Sequence, residues 1–310
     1  MKKEINWQKL AFEYQTTGIS LTELGKREGI DRRTISKHLK ELGIKIINRQ
    51  NIVKFNENIF DCIDTEEKAY WLGFIFADGS IRSNGSFIFE LSLKGSDINH
   101  LHKFNKFMGH IKDNVKIGKV TVSGKQYSRC RWNISNKHLW NTLNKYGCTP
   151  RKSLTLTFPD ISIFKNKNLI RHFIRGYFDG DGCLTRHINK TIVTPVASIL
   201  GTYEFLDSIV KYIGINGNIR HDHRHSNNTF SIEFNKKATI SFINYIYNNS
   251  TIYLDRKYKL YDFFKNGSRS VEEFTELLSG NIGENLVIEN TEINSKIAKG
   301  FESSYSVVSE

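Results

Sequence analysis

The sequence predicts an α+β protein, with two αββαββα repeats related by a pseudo-twofold axis and a small all-α domain ahead of them. Three observations carry this prediction. The nonamer WLGFIFADG at 71–79 recurs as IRGYFDGDG at 174–182. The spacing to the next landmark recurs as well, since Gly109 lies 36 residues after Gly73 and Gly214 lies 38 after Gly176. Ahead of the repeats, residues 7–42 carry a helical rather than a strand period.

In chain order, Trp7, Leu10, Ala11 and Tyr14 fall on one face of a first helix. Ser20 with Glu23 three residues later makes a capping box for a second helix, which buries Leu21 and Leu24. Gly29-Ile30 turns the chain, and Asp31 caps a third helix that buries Ile35, Leu39 and Leu42. Its opposite face carries Arg32, Arg33, Ser36, Lys37 and Lys40. Two helices about a glycine turn, the second basic, form the pattern of a helix-turn-helix, whose third helix enters a major groove. Residues 1–48 therefore read as a DNA-binding arm, with those five residues as its contacts. A plain three-helix module with a solvated basic face is the competing reading. Gly25 supplies the small residue of the second helix at some cost in helix stability.

Residues 49–63 read as a polar linker, 64–158 as the first repeat and 159–264 as the second. In the first repeat Phe87, Phe89, Leu91 and Leu93 alternate with Ile88, Glu90 and Ser92, a period-two strand, and Leu101, Phe104 and Met108 then take helical spacing. In the second, 192–200 is the strand and 205–213 the helix. A further hairpin (115–134, 218–234) and helix (138–146, 238–247) follow in each. Each copy then reaches a basic pair, Arg151-Lys152 or Arg256-Lys257. Residues 265–310, rich in Ser, Asn, Gly and Glu, read as a loose acidic tail with a short helix near 271–278.

The formal charge is +13 over 310 residues. Residues 266–310 hold eight acidic and three basic groups, so the remainder carries +18. A field of that size calls for a polyanionic partner. No long apolar run or secretory signal occurs, so a protein of the cytoplasm, or of the organelle or host cell of a mobile element, is expected, without a membrane partner. The four cysteines form no CxxC pair, which argues against a zinc knuckle or a disulfide framework and for isolated buried thiols. HDHRH at 221–225 puts three histidines on one strand face. Without the partners of an open zinc site, they read as groups meeting solvent or phosphate.

The chemistry resides in the nonamers. Gly73 and Ala77, like Gly176 and Gly180, make a stripe of small residues that lets two helix backbones approach. Trp71, Phe74 and Ile75, with Ile174, Tyr177 and Phe178, then pack outward into the two cores. Gly79 and Gly182 stand where a helix C-cap would take positive φ. Each helix ends on an acid, Asp78 or Asp181. Two neighbouring carboxylates at the negative ends of helix dipoles require a compensating cation, and Mg2+ (or Mn2+) suits such oxygen donors.

On these residues the chain resembles the LAGLIDADG homing endonucleases. Both nonamers match that motif, the lead-in DTEEKAYWLG and the trailing DGS resemble the family's first motif, and the likeness spans about residues 64–264. The resemblance implies antiparallel β-ribbons lying along the major groove and cleavage of both DNA strands across the minor groove. It implies that Asp78 and Asp181 hold the metal ions and that Lys152 and Lys257 are the basic residues ending each repeat. Departures are Phe76, where an acid is common, and Ile174-Arg175, with Arg175 expected to point out of the interface. Expected ribbon contacts to DNA are Arg82, Lys94, Arg129, Arg131, Arg186, Arg220 and Arg224. The reading is a monomeric, metal-dependent endonuclease for double-stranded DNA, needing no small-molecule cofactor. The alternatives are a catalytically silent DNA-binding regulator and an RNA maturase on the same scaffold.

Overall fold

The structure is a computed structural model that describes residues 5–17, 19–46, 55–82, 85–109, 113–122, 124–223 and 228–279. The chain divides into two compact units, residues 1–56 with 105–114, and residues 57–104 with 115–310.

The first unit contains three helices, α1 (Trp7–Thr17), α2 (Leu21–Glu28) and α3 (Arg32–Glu41). The capping box forms: the Ser20 hydroxyl accepts from Glu23 N–H at 2.9 Å, and the Glu23 carboxylate accepts from Ser20 N–H at 3.1 Å. Gly29 closes α2 in the left-handed region at φ 71°, and Asp31 caps α3 by accepting from Arg33 N–H. The core is Leu10, Ala11, Tyr14, Leu21, Leu24, Ile35 and Leu39. Leu42 does not join it. It is the C-cap of α3, 45% exposed. Gly25 has a steric reason, because a Cβ there would lie 2.6 Å from the Ile30 carbonyl oxygen that the turn folds against α2.

From residue 66 the chain runs α4 (Glu66–Asp78), β1 (Gly79–Ile81), β2 (Ile88–Lys94), α5 (Ile98–Phe107), β3 (Val115–Val122), β4 (Lys125–Ser135), α6 (Lys137–Lys145), then α7 (Ile170–Asp181), β5 (Gly182–Asn189), β6 (Ile192–Gly201), α8 (Tyr203–Ile213), β7 (Asn218–His221), β8 (Phe230–Phe234) and α9 (Lys236–Tyr247). That is αββαββα twice. Each repeat forms an antiparallel sheet of the same order, β1-β2-β4-β3 and β5-β6-β8-β7. Behind the first sheet, Trp71 packs on Phe104 and Phe104 on Trp132 (both centroid pairs 5.0 Å), with Phe89 and Leu91 beside them. Behind the second, Tyr177 meets Phe205 at 4.3 Å, and Phe178 meets Phe242, which stacks on Phe234.

Boundaries differ from expectation where tertiary packing overrides composition. Ile59, Phe60 and Ile63 are buried, and Ile63 bridges to Phe164, so residues 57–63 belong to the body and not to a linker. Phe87 takes φ 48° and lies outside β2. After 264 the chain continues in the body: α10 (Asp255–Phe264) leads to β9 (Arg269–Ser270), paired with β6, and to α11 (Val271–Ser279), whose Phe274 packs on Phe264. The tail expected from 265 thus begins no earlier than 280, beyond the described residues. Cys130 and Cys148 are buried thiols, whereas Cys62 and Cys183 are exposed.

Candidate active site at the paired helix ends

Helices α4 and α7 pack backbone to backbone, and two glycines set the distance. A Cβ on Gly73 would stand 1.9 Å from the Phe173 carbonyl oxygen, and one on Gly176 would stand 1.9 Å from that of Tyr70. The contact is reciprocal, as a pseudo-twofold demands. A Cβ on Gly180 would fall 2.3 Å from that of Ala77 and 3.0 Å from Asp78 Oδ2, so the crossing brings the two acidic ends together.

Gly79 and Gly182 do not use positive φ. They leave their helices extended, at φ −78° and −87°, and are glycine for lack of room: a Cβ would meet the Ile75 or the Phe178 carbonyl oxygen at 2.5 Å. The chain passes from helix to strand without a turn, which stations Asp78 and Asp181 at the root of the two sheets.

Asp78 is half-buried, and burial, then repulsion from Asp181, pushes its carboxyl up to about 7. Asp181 as a residue is exposed, yet its carboxyl lies in protein-dense surroundings that raise it too, against the pull of Lys152 and Lys257. Those lysines are where the basic pairs end, and both are buried. Lys152 Nζ donates to the Ala77 carbonyl at 2.8 Å, at the end of α4. Lys257 Nζ donates to the carbonyls of Phe178, Asp179 (2.9 Å) and Gly182, at the end of α7, and burial brings it down to about 8. The cation that the helix ends require is therefore supplied in part by the chain itself, and need not all come from a metal ion.

Among the described residues no cluster of three or more metal-binding side chains occurs, so a metal ion here would rest on Asp78 and Asp181 with water and phosphate completing its shell. That donor set fits Mg2+, which keeps waters and takes one or two carboxylates.

The motif's departures mark the difference between the two helices. Arg175 is fully buried, not turned outward. Its guanidinium donates to Glu66 at 2.7 Å, to the Ile246 and Ile252 carbonyls at 2.9 Å each, and pairs with His172 Nδ1. These carbonyls lie at the end of α9 and in the turn after it. An unpaired cation in this core would be untenable, and they make burial possible. Asp179, two residues before Asp181, accepts from the hydroxyls of Tyr70 (2.8 Å) and Tyr247 and from Leu254 N–H (2.8 Å). Sequence reasoning missed this role, although the acid standing opposite Phe76 in the aligned nonamers was its signal.

The other expected contacts fall as follows. Arg32, Arg33, Ser36, Lys37 and Lys40 line one open hollow with Asp31 in the first unit. Arg82, Lys94, Arg129 and Arg131 share the outer face of the first sheet, and Arg220 lies on that of the second. Arg186 does not: it shares a strand side with buried Leu184 and stacks over Phe274, 4.8 Å from its centroid. The outside of β5 is formed by Cys183, Thr185 and His187. Arg224 and His225 lie outside the described residues. The expected three-histidine face is not a strand: β7 stops at His221, and His223 sits in a turn with its Nδ1 3.1 Å from that of His221.

Residues 168–277 match the sequence model described as a LAGLIDADG-like domain. The match falls on the second repeat. The matched span includes β9 and most of α11, in keeping with their place in the body. Among solved structures, the homing endonuclease I-WcaI bound to its DNA recognition sequence is 15% identical, with 69% of this chain and 98% of that chain covered and a TM-score of 0.48. A lysine-to-alanine mutant of I-SmaMI is 15% identical over 69% of this chain and 99% of that one, TM-score 0.45. The I-LtrWI LAGLIDADG homing endonuclease bound to target DNA is 14% identical over 64% and 90%, TM-score 0.43. No curated protein matches the sequence. Among the described residues no helix is long and apolar enough to cross a membrane.

Proposed function

We propose that the protein is a metal-dependent endonuclease that cuts both strands of double-stranded DNA at a specific site, working as a monomer on an asymmetric target. The observation that carries this reading is the pair Asp78 and Asp181, held side by side by the Gly73–Gly176 crossing at the root of two β-sheets. A bound Mg2+ or Mn2+ would supply Lewis-acid stabilisation of the phosphate and a nucleophile from water. Asp78 and Asp181 would hold such ions, and their mutual repulsion gives them a reason to accept one. Lys152 and Lys257 fix the helix ends that aim the carboxylates, and their charge favours phosphate nearby. The basic outer face of the first sheet would take up the DNA. The three-helix unit, a helix-turn-helix in this reading, would lengthen the footprint through Arg32, Arg33, Ser36, Lys37 and Lys40.

A second reading, a catalytically silent DNA-binding protein, draws on the lysines, which already stabilise the helix ends without metal. One experiment separates the two. The purified protein is incubated with a plasmid library of random inserts and Mg2+, beside Asp78→Asn and Asp181→Asn. The nuclease reading expects linear product from wild type and loss of double-strand cleavage in both variants, with DNA binding retained. Wild-type binding without any cleavage would leave the silent reading standing.

A further inference from the structure

The outer face of the first sheet distinguishes among its own cations. Six basic side chains or more lie on or beside it, and they differ in one respect: whether an acid stands behind them. Glu90, on the central strand β2, is only 7% exposed although it faces outward. Its Oε1 accepts from Arg129 Nη2 and, at 2.9 Å, from the Ser92 hydroxyl. Arg129 Nη2 also reaches Ser92 Oγ at 2.6 Å, and Arg82 Nη2 lies 3.8 Å from Glu90 Oε2. All of Arg129's side-chain hydrogen bonds among the described residues leave from Nη2; exchanging the Ser92 contact frees one Nη2 hydrogen, which with the N–H beside it on the same edge of the guanidinium presents two parallel donors. Lys94, Lys116 and Arg131, exposed on the same face, have no acidic partner among the described residues.

Resting on the reading above that this face lies against DNA, we propose that Glu90 makes Arg129 a reader of guanine, and that Lys94, Lys116 and Arg131 hold phosphates. A buried carboxylate beside an arginine offsets much of its charge and repels phosphate oxygens, so the pair gains less from the DNA backbone than an unpartnered cation does. The same carboxylate fixes the guanidinium, which lowers the entropy lost when its remaining N–H groups meet a base edge. In the major groove guanine offers two acceptors, N7 and O6, and no donor, whereas adenine would set its amino group against an arginine N–H. Unpartnered cations have the opposite preference and seek the backbone charge.

The test is selection of bound duplexes from a random library in EDTA, where no cleavage occurs, with folding of each variant checked by thermal melting. Wild type is expected to enrich a site with guanine at one position that depends on Arg129. Arg129→Met and Glu90→Gln are each expected to cut the preference at that base pair by roughly ten-fold, leaving the other positions unchanged. Should Glu90→Gln unfold, Glu90→Asp, which draws the carboxylate back from Arg129, carries the same test. Lys116→Gln is expected to weaken all sequences alike and to lower the salt slope by about one. If Arg129→Met weakens every sequence equally, the proposal is overturned while the DNA reading stands. If wild type enriches no sequence, both fall together.

Discussion

The two sheets share a strand order and a register but not a surface. Gly79 pairs with Leu91 as Gly182 pairs with Ile199, and Leu91 faces Trp132 as Ile199 faces Ile232. Carried along the strands, this equivalence sets Arg82, Glu90, Ser92, Arg129 and Arg131 of the first sheet against Thr185, Ser198, Leu200, Thr229 and Ser231 of the second. Of the cations considered, only Lys116 keeps a basic counterpart, Arg220. On the inner side both sheets bury large apolar residues. Symmetry is thus conserved where the halves must fold together and abandoned where a partner would be met. The helices show the converse. There the acids match, while the buried positions diverge, Leu72 and Phe76 in α4 against Arg175 and Asp179 in α7.

The strongest attempt to break this picture is Gly176→Ala or Gly73→Ala. Each places a methyl on the other helix's backbone, so both are expected to lose several degrees or more of melting temperature, at or above the upper end of the roughly 1–3 kcal/mol of overpacking. Equal losses would support a symmetric crossing. A tolerated alanine at one position would show that the helices do not meet as described.

Arg175→Leu tests the asymmetric interior. It leaves Glu66 without its guanidinium and is expected to cost about 3 kcal/mol, measured by urea unfolding. The reciprocal change, Leu72→Arg, has no Glu66 or Ile246 carbonyl in place to receive it and is expected to be less tolerated still.

The outer faces can be sharpened by salt dependence. Neutralising Lys94, Lys116 and Arg131 together as glutamines is expected to lower the slope of log affinity against log salt by about three. Arg220→Gln is expected to lower it by about one. Similar slopes for the two would make the faces electrostatically alike after all.

The acids that the two helices share can be tested by a pH dependence without metal. Asp78 binds its proton more tightly in the folded chain (about 7) than in the unfolded one (3.8), so its contribution to stability is lost as pH rises from about 4 to about 7. Asp78→Asn should therefore melt above wild type at pH 8 and level with it at pH 4. A gain of equal size at both values would mean that charge is not the cause.

Much of this was legible in the sequence because periodicity and repetition report backbone geometry directly. The nonamers gave the crossing helices, the alternation of Phe89 and Leu91 gave β2, and Ser20 with Glu23 gave the start of α2. Illegible were contacts made by residues far apart in the chain. Nothing near Arg175 announces the Ile246 and Ile252 carbonyls that accept it, and nothing near Lys257 announces the end of α7. Nor does an alternating strand tell which side faces inward when a helix such as α11 returns to cover it, and Arg186 was misassigned for that reason. Gly79 and Gly182 were rightly singled out but for the wrong cause, crowding by a carbonyl rather than a left-handed turn.

The reciprocal seat of Gly73 and Gly176 also governs how such a chain can change through descent or by design. Each half carries one side of a lock whose other side is plain main chain, so the fit depends on almost no side chain at that point. A duplicated half can therefore meet its own copy, or a diverged one, with the same seat. New surfaces can be tried on either sheet without refitting the crossing, whereas a foreign half must also supply the partners that reach across it, such as Glu66 for Arg175 and Tyr70 for Asp179. What is fixed at the crossing is the absence of a Cβ where the other helix's carbonyl oxygen sits, and a chimaera has to inherit that absence intact.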